Sequence, residues 1–380
     1  MLIALIIIWV LTLSYVVLML VYWFGWTMQP KFVLKQGFTP RTKISIIIPA
    51  RNEEGTISAC IRSILKNDYP SELLEIIVID DHSEDNTAAI VRNHALPNVR
   101  CLPMADYLKE GEELNAYKKK AIEIGIANSS GELIITTDAD CIAPKEWLNH
   151  LAARYEEDHP AMIVGPVAFS NNGSMVERFQ DIDFMSMQGI TAAAHRLGLG
   201  NMSNGANLAF SRSAFLQVNG YQGIDHLASG DDFLLMVKVK KAFPDKLAYL
   251  KTRQAVVTTA PQPDWGSLLQ QRIRWASKSG KYNDPKLTLI LLLVYLFNLL
   301  FLVLFIAGLS DINYLILLAG IFLIKTVVEA FYLFPVAIFF RKTEQLLLFP
   351  LLQPFHILYV ITAGFLGFIG VYKWKGRRVK

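Results

Sequence analysis

Two acids, Asp138 and Asp140, close the apolar, β-branched run LIITTDAD over residues 133–140, with Ala139 alone between them. A short apolar run bounded by Gly131 and Pro144 reads as a buried parallel strand. Acids at its end stand where ligands bind in open α/β sheets. Two carboxylates this close repel unless one takes a proton or a cation sits between them. A hard divalent ion with oxygen ligands, Mg²⁺ or Mn²⁺, answers that need and commonly brings a phosphate with it. The plainer alternative is a helix N-cap with a spare acid, because Asp-x-Asp is short and common.

Other residues extend the pattern. The run 75–80 ends in Asp80 and Asp81, and Gly230 precedes Asp231 and Asp232. Acids at strand tips suit hydrogen bonds to the hydroxyls and ring N–H of a nucleoside, although Asp81 also reads as a turn residue. Capping at a helix N-terminus explains one acid of the second pair. A carboxylate facing a pocket serves as general base when it reaches the attacking hydroxyl. Lys118, Lys119 and Lys120 open a helix before the 133–140 strand, where cations can meet phosphate oxygens; a solvated helix face is expected for at least one of them. Gln271, Arg274 and Trp275 fall at i, i+3 and i+4 of a helix that Asp264 can cap. An amide, a guanidinium and an indole on one face can clamp a diphosphate and stack on a sugar or base. They also suit an interfacial helix with a snorkelling Arg and a Trp anchor.

Alternating elements must hold these groups. Ile44 to Ile48 reads as a buried strand stopped by Pro49. A helix with Ile57, Ile61, Ile64 and Leu65 on one face follows, and then the 75–80 strand. Such alternation predicts an α/β fold with a mostly parallel sheet flanked by helices and both acid tips on one carboxyl edge. There is no Gly-x-Gly-x-x-Gly and no phosphate-cradling Gly-rich Lys loop. Cys60, Cys101 and Cys141 are scattered without metal-ligand spacing, which suggests a reducing compartment.

The 380 residues are 53% hydrophobic and only 18% charged, too apolar for a wholly soluble chain, and the excess lies at the two ends. The net charge of +4 is weak and argues against a nucleic-acid partner. Leu2 to Trp26 carries no charge and is long enough to cross a bilayer. Lys31, Lys35, Arg41 and Lys43 follow it, so the N-terminus is expected outside and the next segment in the cytoplasm. Leu287 to Leu309 and Tyr314 to Phe340 read as further spans, with Arg341 and Lys342 marking the inner face. Lys325 and Glu329 form an intramembrane i, i+4 pair, a functional candidate or a neutralising structural one. In Leu346 to Tyr372, Pro350 and Pro354 leave a broken, re-entrant segment open beside a single crossing. The expected divisions are a membrane helix over 1–26, a linker over 27–43, a catalytic domain over 44–260, an amphipathic helix over 261–283, a membrane region over 284–372 and a basic tail over 373–380.

Taken in order, Pro49-Ala50-Arg51-Asn52-Glu53-Glu54, Asp80-Asp81-x-Ser83-x-Asp85-x-Thr87, Lys118-x-x-Ala121, Asp138-x-Asp140, Asn204-Gly205-Ala206-Asn207, Gly230-Asp231-Asp232 and Gln271-x-x-Arg274-Trp275 resemble the motifs of the family 2 glycosyltransferases. The membrane-embedded branch is nearest in kind: cellulose, chitin, hyaluronan and poly-N-acetylglucosamine synthases and ceramide glucosyltransferases. The resemblance covers roughly residues 44 to 283. It implies a GT-A fold and inverting transfer from a nucleotide-diphosphate sugar. It also implies donor contacts from Pro49, Arg51, Glu53 and Asp81, with Asp81 at the nucleobase. Lys118 would approach the phosphates, Asp138 would hold the donor's ribose or sugar beside the metal, and Asp140 would ligate the metal. Asp232 would be the general base, and Gln271, Arg274 and Trp275 would hold the diphosphate and the acceptor end. His82 stands where the family usually has Gly, and Gly230-Asp231-Asp232 replaces the commoner Glu-Asp.

The expected function is therefore metal-dependent transfer of a sugar to a glycan or polysaccharide acceptor at the lipid bilayer of a bacterial cell membrane, by a multi-pass protein whose catalytic domain is cytoplasmic. Single glycosylation of a membrane lipid (ceramide, diacylglycerol or polyprenyl phosphate) is the alternative, and a non-catalytic nucleotide-sugar-binding scaffold is a remote one. The sequence names no protein partner.

Overall fold

The computed structural model describes residues 2–109, 114–170, 173–199, 202–277, 284–369, 372–374 and 377–379. Residues 278–283 of the expected amphipathic segment, and residues 375, 376 and 380 of the basic tail, lie outside the described residues. In chain order the elements are α1 (Leu2–Met28), β1 (Ile44–Ala50), α2 (Ile57–Leu65), β2 (Leu74–Asp80), α3 (Thr87–Arg92), β3 (Val99–Pro103), α4 (Tyr117–Ala127), β4 (Leu133–Thr136), α5 (Trp147–Asp158), β5 (Met162–Val164), β6 (Val167–Phe169) and α6 (Met175–Leu197). They continue with β7 (Leu208–Ser211), α7 (Arg212–Gln217), α8 (Phe233–Ala242), β8 (Leu247–Tyr249), β9 (Val257–Thr259), α9 (Trp265–Ala276), α10 (Pro285–Gly308), α11 (Ile312–Phe340), α12 (Phe349–Ile369), β10 (Tyr372–Trp374) and β11 (Arg377–Val379). The chain forms two units, one of Met1–Gln29, Asn171–Gly200 and Pro261–Lys380, the other of Pro30–Ser170 and Asn201–Ala260.

The second unit is built on a seven-stranded sheet in the order β3-β2-β1-β4-β7-β5-β8. β1 runs parallel to β2 and to β4, while β7 lies antiparallel to both β4 and β5. Ile44, Ile46, Ile47 and Ile48 have no exposed surface. A central parallel strand is covered on both faces, so a continuous β-branched run fits it where an alternating pattern would not. Contrary to expectation, Pro49 does not stop β1; the strand continues to Ala50, and Pro49 stands opposite Ile79. Proline lacks only an amide donor, and near a strand end that loss is tolerated. The register Ala50↔Asp80 and Ile47↔Thr136 sends the acids after β2 and after β4 out at the same edge.

The first unit holds α1, α6, α9, α10, α11 and α12. Four of them, α1, α10, α11 and α12, are long and apolar enough to cross a membrane. α6 opens on a capping box between Ser174 and Glu177, and Asp264 caps α9 by accepting from Ser267 N. α12 is one helix from Phe349 to Ile369 with Pro354 inside it, so the break left open by the sequence does not form. Pro350 falls in the first turn, where its missing N–H is no loss. Lys325 is fully buried, and its amine donates to Glu329 at 2.6 Å and to Gln353 at 2.7 Å. Glu329 also accepts from Tyr15 and Gln353, so one satisfied polar cluster joins α1, α11 and α12.

Candidate active site

Two loops leave the carboxyl edge and are stitched to each other. After β1, Asn52 N donates to Ser83 Oγ at 3.0 Å, Glu53 N to Thr87 Oγ1 at 2.8 Å and Glu54 N to Asp85 Oδ2 at 3.1 Å. In return, Glu84 N donates to Asn52 Oδ1 at 2.8 Å and Asn86 N to Glu54 Oε2 at 3.1 Å. The matched motifs PARNEE and DDHSEDNT are therefore one structural feature. Arg51 lies across it, donating to the Asp81 carbonyl at 3.1 Å and sitting 4.0 Å from the Asp81 carboxylate. His82 occupies the left-handed region at φ 54°, with its ring nitrogen 3.0 Å from Asp81 Oδ1. Glycine adopts that conformation without cost, which is the physical content of the His-for-Gly departure.

Asp138 and Asp140 follow β4 at this edge. They are not helix caps, since Glu146 holds the N-cap position of α5. The ligand atoms of Asp138, Asp140 and Cys141 lie within 4.8 Å of one another. Burial first, then the charges of Asp138 and Glu53, push the Asp140 carboxyl upward, while Thr259 Oγ1 donates to it at 3.2 Å. Burial, then Asp140 and Asp138, push the Cys60 thiol up to about 12, and burial holds the Cys141 thiol well above its ordinary range. A site that so disfavours further negative charge fits a cation. The Asp138 and Asp140 carboxylates offer it oxygen donors, the kind that Mg²⁺ or Mn²⁺ prefers.

Lys118 ties this feature to the third acidic motif. Its amine is 2.7 Å from Asp138 Oδ1 and 3.1 Å from Asp231 Oδ2. Burial alone would lower its pKa; the carboxylates of Asp138 and Asp231 outweigh that and raise it. Asp232 accepts from Gly205 N at 3.1 Å and from Phe233 N at 2.7 Å, which makes it the N-cap of α8. Gly205 lines the cluster closely: a Cβ there would stand 3.1 Å from Asp231 Oδ2 and 3.3 Å from Lys118 Nζ. Asn207, from the same Asn-Gly-Ala-Asn turn, is a buried strut. It donates to the Pro166 and Ala255 carbonyls and accepts from the Trp147 indole.

Pro49, Arg51, Glu53, Asp81, Lys118, Asp138, Asp140 and Asp232 thus belong to one unit. Gln271, Arg274 and Trp275 lie on α9 in the other unit. There Arg272, unremarked in the sequence, is the buried arginine: it pairs with Asp183 of α6 at 2.7 Å and lies 4.2 Å over the Trp275 ring. Sequence reasoning also passed over Asp231 as the partner of Lys118, over Gly205 as a wall, and over Thr259. Their signal was the motif around them; their contacts are tertiary.

A model described as Glycosyl transferase family 2 matches residues 45–216, and one described as Glycosyl transferase family group 2 matches residues 133–366. The glycosyltransferase AglE of Haloferax volcanii is 26% identical over 233 residues, covering 61% of this chain and 71% of that protein. The poly-beta-1,6-N-acetyl-D-glucosamine synthase of Staphylococcus epidermidis is 26% identical over 280 residues, 70% of this chain. The match spans 63% of that synthase, under two thirds of its length. Among solved structures, the mannosyltransferase PcManGT of Pyrobaculum calidifontis, in complex with GDP-Man and Mn²⁺, aligns over 94% of each chain with a TM-score of 0.55 at 19% identity, a likeness of fold. The sheet is accordingly the GT-A sheet that the motifs implied, and the chain belongs to the family 2 glycosyltransferases.

Proposed function

We propose that the protein is an inverting, metal-dependent transferase that moves a sugar from a nucleotide-diphosphate donor to a glycan or polysaccharide acceptor at a membrane. The observation that carries this reading is the Lys118 amine between Asp138 and Asp231, which joins the metal-type acids to the base-type acids in one cluster. Arg51, Glu53 and Asp81, with Pro49 at the end of β1, form the nucleobase side. Asp138 and Asp140 would hold the cation, and Mg²⁺ or Mn²⁺ bound there would neutralise charge developing on the departing diphosphate. Asp232, oriented by two backbone N–H groups, takes the acceptor's proton. As it does so, the acceptor oxygen bonds to the anomeric carbon and the bond to the diphosphate breaks, a single displacement with inversion. Lys118 supplies a positive charge for phosphate oxygens. For Gln271, Arg274 and Trp275 the reading rests on the motif, whose amide, guanidinium and indole suit a diphosphate and an acceptor sugar.

The relative named as a poly-N-acetylglucosamine synthase supports a glycan acceptor and makes UDP-N-acetylglucosamine the first donor to try. A membrane setting is supported by the four long apolar helices and by outward residues such as Leu289, 68% exposed, and Phe368, 92% exposed. The basic residues after α1 favour a cytoplasmic catalytic unit, and the Staphylococcus epidermidis relative favours a bacterial cell membrane.

The test is transfer by the purified full chain in detergent, with Mg²⁺ or Mn²⁺ and a panel of nucleotide-sugars, analysed for product length. Asp140→Asn and Asp232→Asn are each expected to lower kcat by roughly 100-fold or more. Undiminished turnover in both would overturn the assignment, and one sugar added to a lipid would replace the glycan acceptor with a lipid one.

A further inference from the structure

Lys119 sits beside Lys118 in the first turn of α4, yet it is only 1% exposed. Its amine donates to three backbone carbonyls: Ile224 at 2.7 Å, Leu227 at 2.7 Å and Ser229 at 3.0 Å. An ammonium has three donors, enough to serve these three carbonyls. The acceptors belong to the loop that leads directly into Gly230, Asp231 and Asp232. Asn115 holds the same loop at the His226 carbonyl, 2.8 Å away, and Lys238 holds its start at the Gly220 and Gln222 carbonyls.

We propose that Lys119 is a positioning residue for the transfer: by gathering the carbonyls of residues 224–229 it fixes the loop from which Asp231 and Asp232 project, and so governs the acceptor side of the reaction without contributing to donor binding. This rests on the function proposed above.

The connectivity supports the role. Ser229 is held by Lys119, Gly230 then turns at φ 83°, and Asp231 meets Lys118 at 3.1 Å. Adjacent lysines therefore grip one turn twice, once by its backbone and once by its acid. Successive residues of a helix point about 100° apart, so the two amines reach the turn from different directions. Three carbonyl dipoles converge on the Lys119 amine. Without the cation they oppose one another, and a buried carbonyl left without a donor is costly. The loop then opens toward water, and the acids move with it. The nucleobase loops after β1 and β2 are stitched to each other by their own bonds and do not depend on this contact.

The experiment compares wild type, Lys119→Met and Lys119→Arg as full chains in detergent. Hydrogen exchange is read over residues 222–232, Mn²⁺–UDP binding by calorimetry, and kcat and KM with UDP-N-acetylglucosamine or whichever donor supports turnover. In Lys119→Met, loop exchange is expected to rise about tenfold and kcat to fall about 100-fold, as for a misplacement of about 1 Å, with the Mn²⁺–UDP affinity and the donor KM within about threefold of wild type. Lys119→Arg keeps the charge but not the tetrahedral donor set; it should fall between, with kcat tracking loop exchange, and it carries the test if Lys119→Met does not fold. Wild-type kcat in the folded variants, or UDP binding lost in step with kcat, overturns the proposal. Exchange of the loop is read without any donor. A wild type that binds neither UDP nor GDP with Mn²⁺ therefore removes the function, while unchanged loop exchange in the variants removes the pin.

Discussion

At the scale of single residues, the chemistry depends on how closely groups from distant parts of the chain approach. Gly205 shows this. A methyl group added there would stand 3.1 Å from Asp231 Oδ2, 3.3 Å from Lys118 Nζ and 3.7 Å from Asp232 Cβ. The two nearest atoms end flexible side chains, so they can give way by a few tenths of an ångström, but only by loosening the Lys118–Asp231 bridge. Gly205→Ala should therefore leave the protein folded, with a stability loss of about 1 kcal/mol, and lower kcat about tenfold. Wild-type kcat at an unchanged melting temperature would show that the bridge is not needed in its present geometry. The motif acids themselves were legible in the sequence, because acids at the ends of apolar runs are conspicuous. The bridge was not, because Lys118, Asp138 and Asp231 meet only in the fold. Lys119 was read as a phosphate contact or a solvated cation for the same reason: nothing local announces three carbonyls returning from residues 224–229.

At the scale of elements, the parallel core was readable because its strands are short, β-branched and followed by helices. The antiparallel β7 was not. Its four residues carry no mark of direction, and its orientation is set by pairing with β4 and β5. α9 was foreseen as amphipathic, with the Gln271-Arg274-Trp275 face as its chemistry. Its buried anchor, however, is Arg272, whose guanidinium meets Asp183 of α6 at 2.7 Å, with His356 of α12 3.6 Å from the other carboxylate oxygen. Burial alone would raise the Asp183 pKa; Arg272, then His356, outweigh it and hold the carboxyl below its ordinary range. A carboxyl depressed in the folded state stabilises above its unfolded pKa of about 4 and loses that contribution as pH falls through the lower folded value. Asp183→Asn leaves a buried guanidinium without its counter-charge and should cost about 3–5 kcal/mol near neutral pH. The gap between wild type and variant should narrow as pH drops below about 4. Thermal denaturation in detergent across that range checks both the size and the sign. A gap that is constant with pH would mean that Asp183 acts through packing and not through its charge.

At the scale of the whole chain, the sheet-bearing unit is inserted between the sequence segments of the helical one. The helical unit must therefore join α1, from the start of the chain, to α11 and α12, from its end. Apolar packing is poorly selective among hydrophobic helices, and polar contacts between them supply specificity. Lys325, Glu329, Gln353 and Tyr15 provide such contacts, since each bonds to at least one of the others across α1, α11 and α12. The pair left open in the sequence as functional or structural is hydrogen-bonded throughout, which favours the structural role. Lys325→Met removes the only cation bonded to Glu329 among the described contacts and should destabilise the helical unit by about 3–5 kcal/mol, because a buried carboxylate then lacks its counter-charge. Adding Glu329→Gln to Lys325→Met restores neutrality. The amide oxygen can still accept from Tyr15, and the double variant should recover much of the loss even though it carries more substitutions. A proton-carrying or substrate-handling role predicts the same recovery of melting temperature with transfer lost altogether, whereas the structural role predicts that transfer recovers with stability. Melting temperature and turnover measured on the same detergent-solubilised samples separate the two, and a double variant less stable than Lys325→Met would refute the neutral-pair account.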